Sequence, residues 1–345
     1  MISRLVRTIT GKEIVFLHYH RNITPIAEYN SDKYYFFDPS FIWKMMGIVG
    51  RRNKLRYRLM YLLLSLVKPV WIIDFNWLDK LQSLYLVWAD HHQKQFIVVQ
   101  HGIYYGGIMR DIPEKYIKCN IMLVWSDYFK SMFFENNPGK DFRCIPFGNP
   151  IYNKYDRSLL EYPEKIGNKI LIAPSLIKGR RLKRHYDLIE KLMTFGFDVT
   201  IKEHYKQALD SNSIQIEGCH KNNGDDFHLY ELLNSHKYDI VITDVSSAMT
   251  DIIFFKNPVI YFSPEFEGED FNKNIYGEYL TNLNHLLDEV KSRSEILSFI
   301  NLKSQERLLK RLVKIDNISN DLAQLADSRI KNSEQYEVSN INDIR

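Results

Sequence analysis

Side chains able to do chemistry follow an apolar segment at residues 96–99, where the chain continues as Gln100-His101-Gly102. An imidazole whose pKa lies near neutrality can take a proton from an attacking hydroxyl. Gly102 permits a sharp turn and a close approach by a substrate. We therefore interpret His101 as a candidate general base, and the alternative is a histidine that hydrogen-bonds a loop carbonyl.

A second cluster lies at the end of the segment 198–202, which runs on into Glu203 and His204. Alternation along a strand places Lys202 and His204 on the same side, where both can reach one anion. The segment 239–243 is followed by Asp244 and then by two adjacent hydroxyls, Ser246 and Ser247, at the start of a predicted helix. A helix start favours phosphate or pyrophosphate, although Ser246 can equally act as a helix cap only.

Two basic segments stand out. Residues 39–73 contain seven cations and no acid, interleaved with aromatic and aliphatic residues. This pattern is typical of a helix in the headgroup region of an anionic membrane, or of a domain helix with a solvated basic side. Residues 178–184 hold five cations after the predicted strand 169–173, where a polyanionic acceptor or a donor phosphate could bind, or where a helix start is solvated. The candidate membrane and acceptor residues are Arg51, Arg52, Arg56, Arg58, Arg180 and Arg181.

Composition narrows the function classes. The chain has 345 residues, a net charge of +4 and three widely spaced cysteines, which favours a reducing compartment over a disulfide framework. No D-x-D, H-E-x-x-H or P-loop pattern occurs, so we expect no metal and no cofactor. No nucleic-acid module accompanies the basic segments. The apolar run 59–67 is far shorter than the ~20 residues of a membrane-spanning helix, and no signal peptide is expected.

Short apolar segments alternate with helical patterns along most of the chain, which predicts doubly wound α/β architecture with parallel sheets. The polar stretch 152–168 separates two such series. We expect an N-terminal Rossmann-like acceptor domain at 1–155 and a nucleotide-donor domain at 165–300. Amphipathic helical patterns cover 282–300 and 303–327, and helices at 301–327 could cross back to the first domain. The polar tail 328–345 is expected to be disordered.

The motifs Q-H-G at 100–102, F-G-N-P at 147–150, K-E-H at 202–204 and I-T-D-V-S-S-A-M-T-D at 242–251 come in the order seen in the CDP-glycerol glycerophosphotransferase family. Related GT-B transferases that build bacterial capsule, teichoic acid and lipopolysaccharide are similar. The resemblance covers about residues 95–265 and implies a GT-B fold with two Rossmann-like domains facing a cleft. It matches His101 to the catalytic base, Lys202 and His204 to the donor phosphates, and Ser246 and Ser247 to the serine pair that binds them. Gly148 and Pro150 match the G-x-P turn at the domain junction.

The sequence departs from the family pattern at Gln100, where a tryptophan is usual, at Ile103 and Tyr104, and at Tyr205, where proline is usual. These departures leave the expected donor open between CDP-glycerol and a CMP-, UDP- or GDP-linked sugar. The resemblance implies a cytoplasmic, peripheral membrane enzyme that transfers a glycosyl or glycerol-phosphate unit to a lipid-linked or growing surface polysaccharide. One alternative is a nucleotide-sugar 2-epimerase, for which Glu203 and Asp244 are the available carboxylates. Another is a non-catalytic polysaccharide-binding module at the membrane surface.

Overall fold

The protein is described from a computed structural model, which covers residues 2–18, 24–39, 53–75, 80–100, 102, 118–135, 142–174, 180–202, 217–221, 226–244, 248–264 and 276–315. The catalytic and phosphate-binding candidates His101, His204, Ser246 and Ser247 lie outside these residues, as do Arg51 and Arg52.

The first half of the chain forms a six-stranded parallel sheet with strand order β2-β1-β3-β4-β5-β6. Its strands are β1 (Glu13–Leu17), β2 (Tyr34–Phe37), β3 (Trp71–Asp74), β4 (Gln95–Val99), β5 (Ile121–Val124) and β6 (Arg143–Pro146). The helices of this half are α1 (Ile2–Thr10), α2 (Thr24–Tyr29), α3 (Asn53–Val67), α4 (Lys80–His91) and α5 (Asp127–Glu135).

The second half forms a five-stranded parallel sheet with strand order β11-β10-β7-β8-β9. Its strands are β7 (Lys169–Ile172), β8 (Asp198–Ile201), β9 (His220–Lys221), β10 (Ile240–Thr243) and β11 (Val259–Tyr261). The helices are α6 (Arg180–Thr194), α7 (Asp226–Asn234), α8 (Ala248–Phe254), α9 (Leu283–Leu286), α10 (Arg293–Ser298) and α11 (Leu302–Leu312). Renumbered within the sheet, this order is 5-4-1-2-3, the doubly wound arrangement of dinucleotide-binding folds.

The central strands are apolar throughout because both faces of each sheet are covered. In β3, β5 and β10 every residue is buried, whereas a strand with one solvated face would alternate. One apolar core lies on one side of the first sheet, and another packs between the second sheet and α6, α9 and α10. A third core runs through both halves and includes residues of the connecting segment and of α11. The predicted doubly wound α/β class is confirmed.

The connection between the sheets consists of two 3₁₀ turns, Pro150–Lys154 and Arg157–Leu159. The sequence F-G-N-P explains the first turn residue by residue. Gly148 has φ +88°, a conformation that side chains disfavour. Asn149 caps the turn by accepting a hydrogen bond from the Ile151 amide, and Pro150 occupies the first turn position, where no N–H is needed.

The C-terminal helices differ from the sequence predictions. The predicted helix 282–300 is two short helices, because Ser292 is extended and caps α10 with its hydroxyl. The predicted helix 303–327 ends at Leu312, where Val313 becomes extended and the Lys314 amide donates to the Trp125 carbonyl at 2.7 Å. Helix α11 packs against α8 of the second half and α5 of the first. Helix α1 was not predicted, although Ile2, Leu5, Val6 and Ile9 recur at helical spacing, and it buries none of its residues.

Candidate functional site

The candidate site in the second half lies at the carboxyl edge of its sheet. In open parallel sheets, ligands bind outside the carboxyl ends of the strands at the point where the strand order reverses, here between β7 and β10. Asp244 directly follows β10, and Lys202 directly follows β8 on the other side of β7. Since adjacent strands lie about 4.8 Å apart, the two backbones are about 10 Å apart across the end of β7.

Hydrogen bonds hold this edge in place. The Lys202 amide donates to the Ile172 carbonyl at 2.8 Å, which extends the pairing of β8 with β7 by one residue. On the other side, the Thr243 hydroxyl donates to the Ala173 carbonyl at 2.7 Å. The three strand ends are therefore tied together, and the positions of Lys202 and Asp244 are fixed by the sheet.

Lys202 and Asp244 are almost entirely buried, with 6% and 7% of their surface exposed. Charged side chains are rarely buried to this extent unless they are paired. Burial raises the pKa of the nearby Tyr261 phenol, and the charge of Asp244 raises it further, so Tyr261 stays neutral. This edge combines a lysine and a carboxylate in a protected environment, where electrostatic interactions with a ligand are stronger than in water.

The adjacent serines fall between two described elements. Strand β10 ends at Thr243 and α8 begins at Ala248, so Ser246 and Ser247 directly precede the helix in sequence but lie outside the described residues. His204 likewise follows Lys202 outside them. The phosphate-binding roles of these three residues stay predictions.

The carboxyl edge of the first sheet is organised by Gln100, which is fully buried. Its side-chain amide donates to the Gly102 carbonyl at 2.8 Å, and its side-chain oxygen accepts from the Trp125 amide at 2.8 Å. The Trp125 indole donates in turn to the Gln100 carbonyl at 3.0 Å. Gln100 thus locks the end of β4 to the end of β5, immediately before the candidate base His101. Gly102 lies in the described part, and a Cβ there would meet nothing within 4 Å.

The structure shows a histidine–tyrosine pair that the sequence patterns missed. His18 follows β1, and its Nε2 lies 2.6 Å from the hydroxyl of Tyr85, which reaches the same edge from α4. Burial raises the pKa of Tyr85 well above its ordinary value, as do the charges of Asp74 and Asp38. The neutral phenol and His18, 67 positions apart in sequence, therefore lie beside the strand-order reversal between β1 and β3. A buried tyrosine on the sheet side of α4 was the available signal.

Asp74, the last residue of β3, is a carboxylate at the same edge. One of its oxygens accepts from the Phe75 amide at 2.7 Å and the other from the Gln82 side chain at 2.8 Å. Because both oxygens are engaged, Asp74 orders the turn that follows β3. Among the described residues, no group of three or more His, Cys, Asp and Glu side chains is placed to hold a metal ion.

Asp251, the last residue of the 242–251 motif, has a role in the connection between the two halves. The Tyr152 hydroxyl donates to the Asp251 carboxylate at 2.8 Å, and both side chains are buried. The Tyr152 ring stacks on Phe254, with centroids 3.8 Å apart and planes inclined by 14°. Asp251 therefore anchors the connecting turn against α8.

The basic candidates are only partly described. Arg56 and Arg58 belong to α3, and Arg58 is exposed. Arg180 and Arg181 open α6, which starts after the carboxyl end of β7. Of the helices in the described ranges, none combines the length and the hydropathy needed to cross a membrane.

No family model matches the sequence, and no curated protein is significantly similar to it. Solved structures do match over nearly the whole chain. A putative UDP-N-acetylglucosamine 2-epimerase from Listeria monocytogenes has a TM-score of 0.59 at 14% identity, covering 96% of this chain and 99% of that one. A variant of the wall teichoic acid polymerase TagF soaked with CDPG has a TM-score of 0.55 at 16% identity, covering 93% and 89%.

A third match is the UDP-GlcNAc 2-epimerase from Neisseria meningitidis bound to UDP-GlcNAc, with a TM-score of 0.54 at 11% identity, covering 93% of this chain and 100% of that one. At these identities the likeness concerns the fold. With the two parallel-sheet α/β halves described above, it establishes a GT-B fold, as predicted.

Proposed function

We propose that the protein is a metal-independent transferase that moves a glycosyl or glycerol-phosphate unit from a nucleotide-activated donor to a lipid-linked or growing bacterial surface polysaccharide. The observation that carries the proposal is the second sheet, whose strand order reverses beside the buried Lys202 and Asp244. The similar structures that contain UDP-GlcNAc and CDPG support a nucleotide-activated ligand for this fold.

The proposed division of labour follows the two sheet edges. Lys202, His204, Ser246 and Ser247 bind the donor phosphates and stabilise the charge that develops on the leaving phosphate, a role best filled by groups already fixed in place. His101, beyond the edge that Gln100 locks, takes the proton from the acceptor hydroxyl. The acceptor then attacks the donor carbon or phosphorus, and the nucleotide leaves with the bonding electron pair.

A nucleotide-sugar 2-epimerase is the second candidate function, because two of the similar structures are described as such epimerases. An epimerase requires a group that removes a proton from the sugar, and Asp244 is a described carboxylate that directly follows β10, beside the strand-order reversal. The two candidates differ in their need for an acceptor. A transferase releases nucleotide when an acceptor is present, whereas an epimerase converts its nucleotide sugar alone.

We further propose that α3 contacts the inner face of the cytoplasmic membrane. Met60, Leu64 and Val67 are buried against the domain, while a second apolar row lies on another side of the helix. That row is Leu59, Leu62 and Leu66, each more than 40% exposed at helical spacing, with Arg58 beside it. Exposed leucines together with cations suit insertion among anionic headgroups.

Donor binding is tested by calorimetry with CDP-glycerol and with CMP-, UDP- and GDP-sugars. Replacing Ser246 and Ser247 together by Ala is expected to weaken binding of the preferred donor at least tenfold without a change in thermal stability. The matched control replaces the exposed Ser294 and Ser298 by Ala, and it should bind like wild type. Equal donor affinity in both double variants would refute the serine assignment.

A further inference from the structure

The His18–Tyr85 pair lies at the point of the first sheet where an open parallel sheet usually binds its ligand. His18 directly follows β1, and its amide donates to the Ile73 carbonyl of β3 at 3.1 Å, across the strand-order reversal. Ligands of such sheets bind outside the carboxyl ends of the strands at a reversal of this kind. The backbone of His18 is therefore fixed at this edge, and the orientation of its ring decides what it can bind.

Tyr85 fixes the orientation of the His18 ring. The Tyr85 side chain is fully buried, and its ring lies edge-on against Phe16 and Phe96, with centroids 6.0 and 5.6 Å away. Its hydroxyl lies 2.6 Å from the Nε2 of His18 and makes no other hydrogen bond with the described residues. Because packing holds the tyrosine, the tyrosine in turn holds the imidazole.

The same hydrogen bond determines which nitrogen of His18 carries the proton. Burial raises the pKa of Tyr85, as do the charges of Asp74 and Asp38, so the phenol keeps its proton. A buried hydroxyl nearly always donates to an acceptor, and among the described residues Tyr85 contacts one acceptor, the Nε2 of His18. Since Nε2 accepts, the neutral imidazole carries its own proton on Nδ1.

The Nδ1 of His18 is available to a ligand. His18 is half-buried, and Nδ1 makes no hydrogen bond within the part of the chain that the structure describes. The buried side-chain atoms that lack a partner in the described ranges do not include this nitrogen, so it is accessible from outside. His18 therefore presents one oriented N–H donor at the sheet edge.

The charges near the pair favour an uncharged ligand. The charged groups that act on the Tyr85 phenol are two carboxylates, Asp74 at the end of β3 and Asp38 directly after β2. Carboxylates at this edge repel a phosphate, whereas a hydroxyl can accept a hydrogen bond without that penalty. Phe37 and Phe75, both half-buried at the ends of β2 and β3, add the aromatic surface typical of small-molecule sites.

We propose that this edge binds the acceptor through an uncharged hydroxyl of its sugar or polyol unit, which accepts a hydrogen bond from the Nδ1 of His18. Tyr85 is a positioning residue that acts through His18. Naming the acceptor as the ligand rests on the proposed transferase function. Gln100 follows β4, two strands from His18 and so about 10 Å away, and an acceptor held here extends toward the base proposed at His101.

Nitrogen NMR of the full chain with ¹⁵N-labelled histidine tests the tautomer and the ligand together. The His18 signal, identified by its loss in His18→Gln, should show the proton on Nδ1. Tyr85→Phe should shift that signal toward the Nε2–H form that free histidine prefers. Glucose or glycerol should move the wild-type signal saturably, and glycerol 3-phosphate should move it less at the same concentration. A proton on Nε2 in wild type, or no shift with either uncharged probe, would overturn the proposal.

Variants of His18 separate ligand binding from a structural role. His18→Gln keeps an amide near the position of Nε2 as a partner for Tyr85 but lacks the donor at Nδ1. Its affinity for glucose, measured by saturation-transfer NMR, should fall roughly fivefold, the effect of one hydrogen bond, while its melting temperature stays close to that of wild type. His18→Asn, whose amide lies near the position of Nδ1, should retain more of the affinity. The control His285→Gln, exposed on α9, should bind like wild type.

The two proposals fail on different results. If His18→Gln binds glucose as wild type does, His18 has a structural role only and the hydroxyl site is refuted. If wild type binds glucose through His18 but releases no nucleotide with any acceptor, the transferase proposal fails and the hydroxyl site stands. If nucleotide release depends on acceptor and the acceptor KM is the same in His18→Gln and wild type, the transferase stands and the hydroxyl site fails.

Discussion

The buried hydrogen bond between Tyr152 and Asp251 predicts a measurable loss of stability in Tyr152→Phe. Burial raises the pKa of Tyr152 well above its ordinary value, and so does the charge of Asp251, so the phenol stays protonated and donates. The substitution keeps the ring stacked on Phe254 and removes only the hydroxyl, which donates to Asp251 and also hydrogen-bonds the Thr250 side chain. A hydrogen bond to a charged group contributes about 2 kcal/mol, and its loss leaves the buried carboxylate one donor short.

That free energy converts into a shift of melting temperature. With an unfolding entropy of about 2.1 cal/mol/K per residue, the 345 residues give ~0.7 kcal/mol/K, so the loss corresponds to about 3 °C. Because one apolar core runs through both halves and the connecting segment, we expect a single transition. Differential scanning calorimetry measures both the shift and the number of transitions.

Tyr155→Phe is the matched control in the same connecting segment. The Tyr155 ring packs edge-on against Phe255, and its hydroxyl makes no hydrogen bond with the described residues. The control should melt within about 1 °C of wild type, since no hydrogen bond is removed. If Tyr152→Phe melts like wild type, or if both variants lose the same amount, the Tyr152–Asp251 bond does not stabilise the junction.

Two other predictions concern charge. Glu306 accepts hydrogen bonds from Arg157, Lys256 and Tyr162. Burial alone would raise the pKa of Glu306, but the hydrogen bonds and charges of Lys256 and Arg157 outweigh burial and lower it. This stabilisation is present above the unfolded pKa of about 4.3 and is lost as the pH falls through the folded pKa. In urea unfolding measured from pH 7 to pH 3, the free energy of unfolding should therefore fall more steeply for wild type than for Glu306→Gln. For the membrane contact, wild type should sediment with anionic vesicles and be released by salt, and binding should be abolished by glutamine at Arg51, Arg52, Arg56 and Arg58.

Each of these predictions has a clear contrary result. If the free energy of unfolding falls with pH in the same way for wild type and Glu306→Gln, the ion pairs of Glu306 do not contribute to stability. For the vesicle assay, a control carries glutamine at four exposed cations outside α3: Lys237, Lys291, Lys303 and Arg307. If the variant at Arg51, Arg52, Arg56 and Arg58 sediments with vesicles as much as this control does, these arginines do not bind the membrane and only keep the segment soluble.

The strands were predictable from sequence because each is a short apolar run covered on both faces and followed by a helix. The apolar runs 13–17 and 34–37 match the limits of β1 and β2, and most other strands differ by one residue at one end, β4 and β6 at both. The strand predicted at 214–217 lies mostly outside the described residues, and β9 is His220–Lys221. The helix ends at the C-terminus were not predictable. The apolar periodicity continues past Leu312, but the hydrogen bond from Lys314 to Trp125, a residue far away in sequence, draws the chain out of the helix.

Residues that directly follow strands were also predictable, because the carboxyl edge of a parallel sheet is a general location for sites. Lys202, Asp244 and Gln100 were placed there on that basis, and all three directly follow a strand. Their contacts could not be derived. The His18–Tyr85 pair and the Tyr152–Asp251 bond join residues 67 and 99 positions apart, and only the packing of α4 and α8 against the sheets brings them together.

The most direct test of the proposed transferase is the release of free nucleotide from its donor with and without a polysaccharide or lipid-linked acceptor. Wild type should release nucleotide only when acceptor is present. His101→Ala should lower the turnover number by roughly 10²–10⁴-fold, the usual contribution of a general base, and leave donor affinity within twofold. His204→Ala should weaken donor binding as well. Conversion of a nucleotide sugar without acceptor would instead indicate an epimerase, and a His101→Ala variant that retains more than about a tenth of wild-type turnover would contradict the assignment of the base.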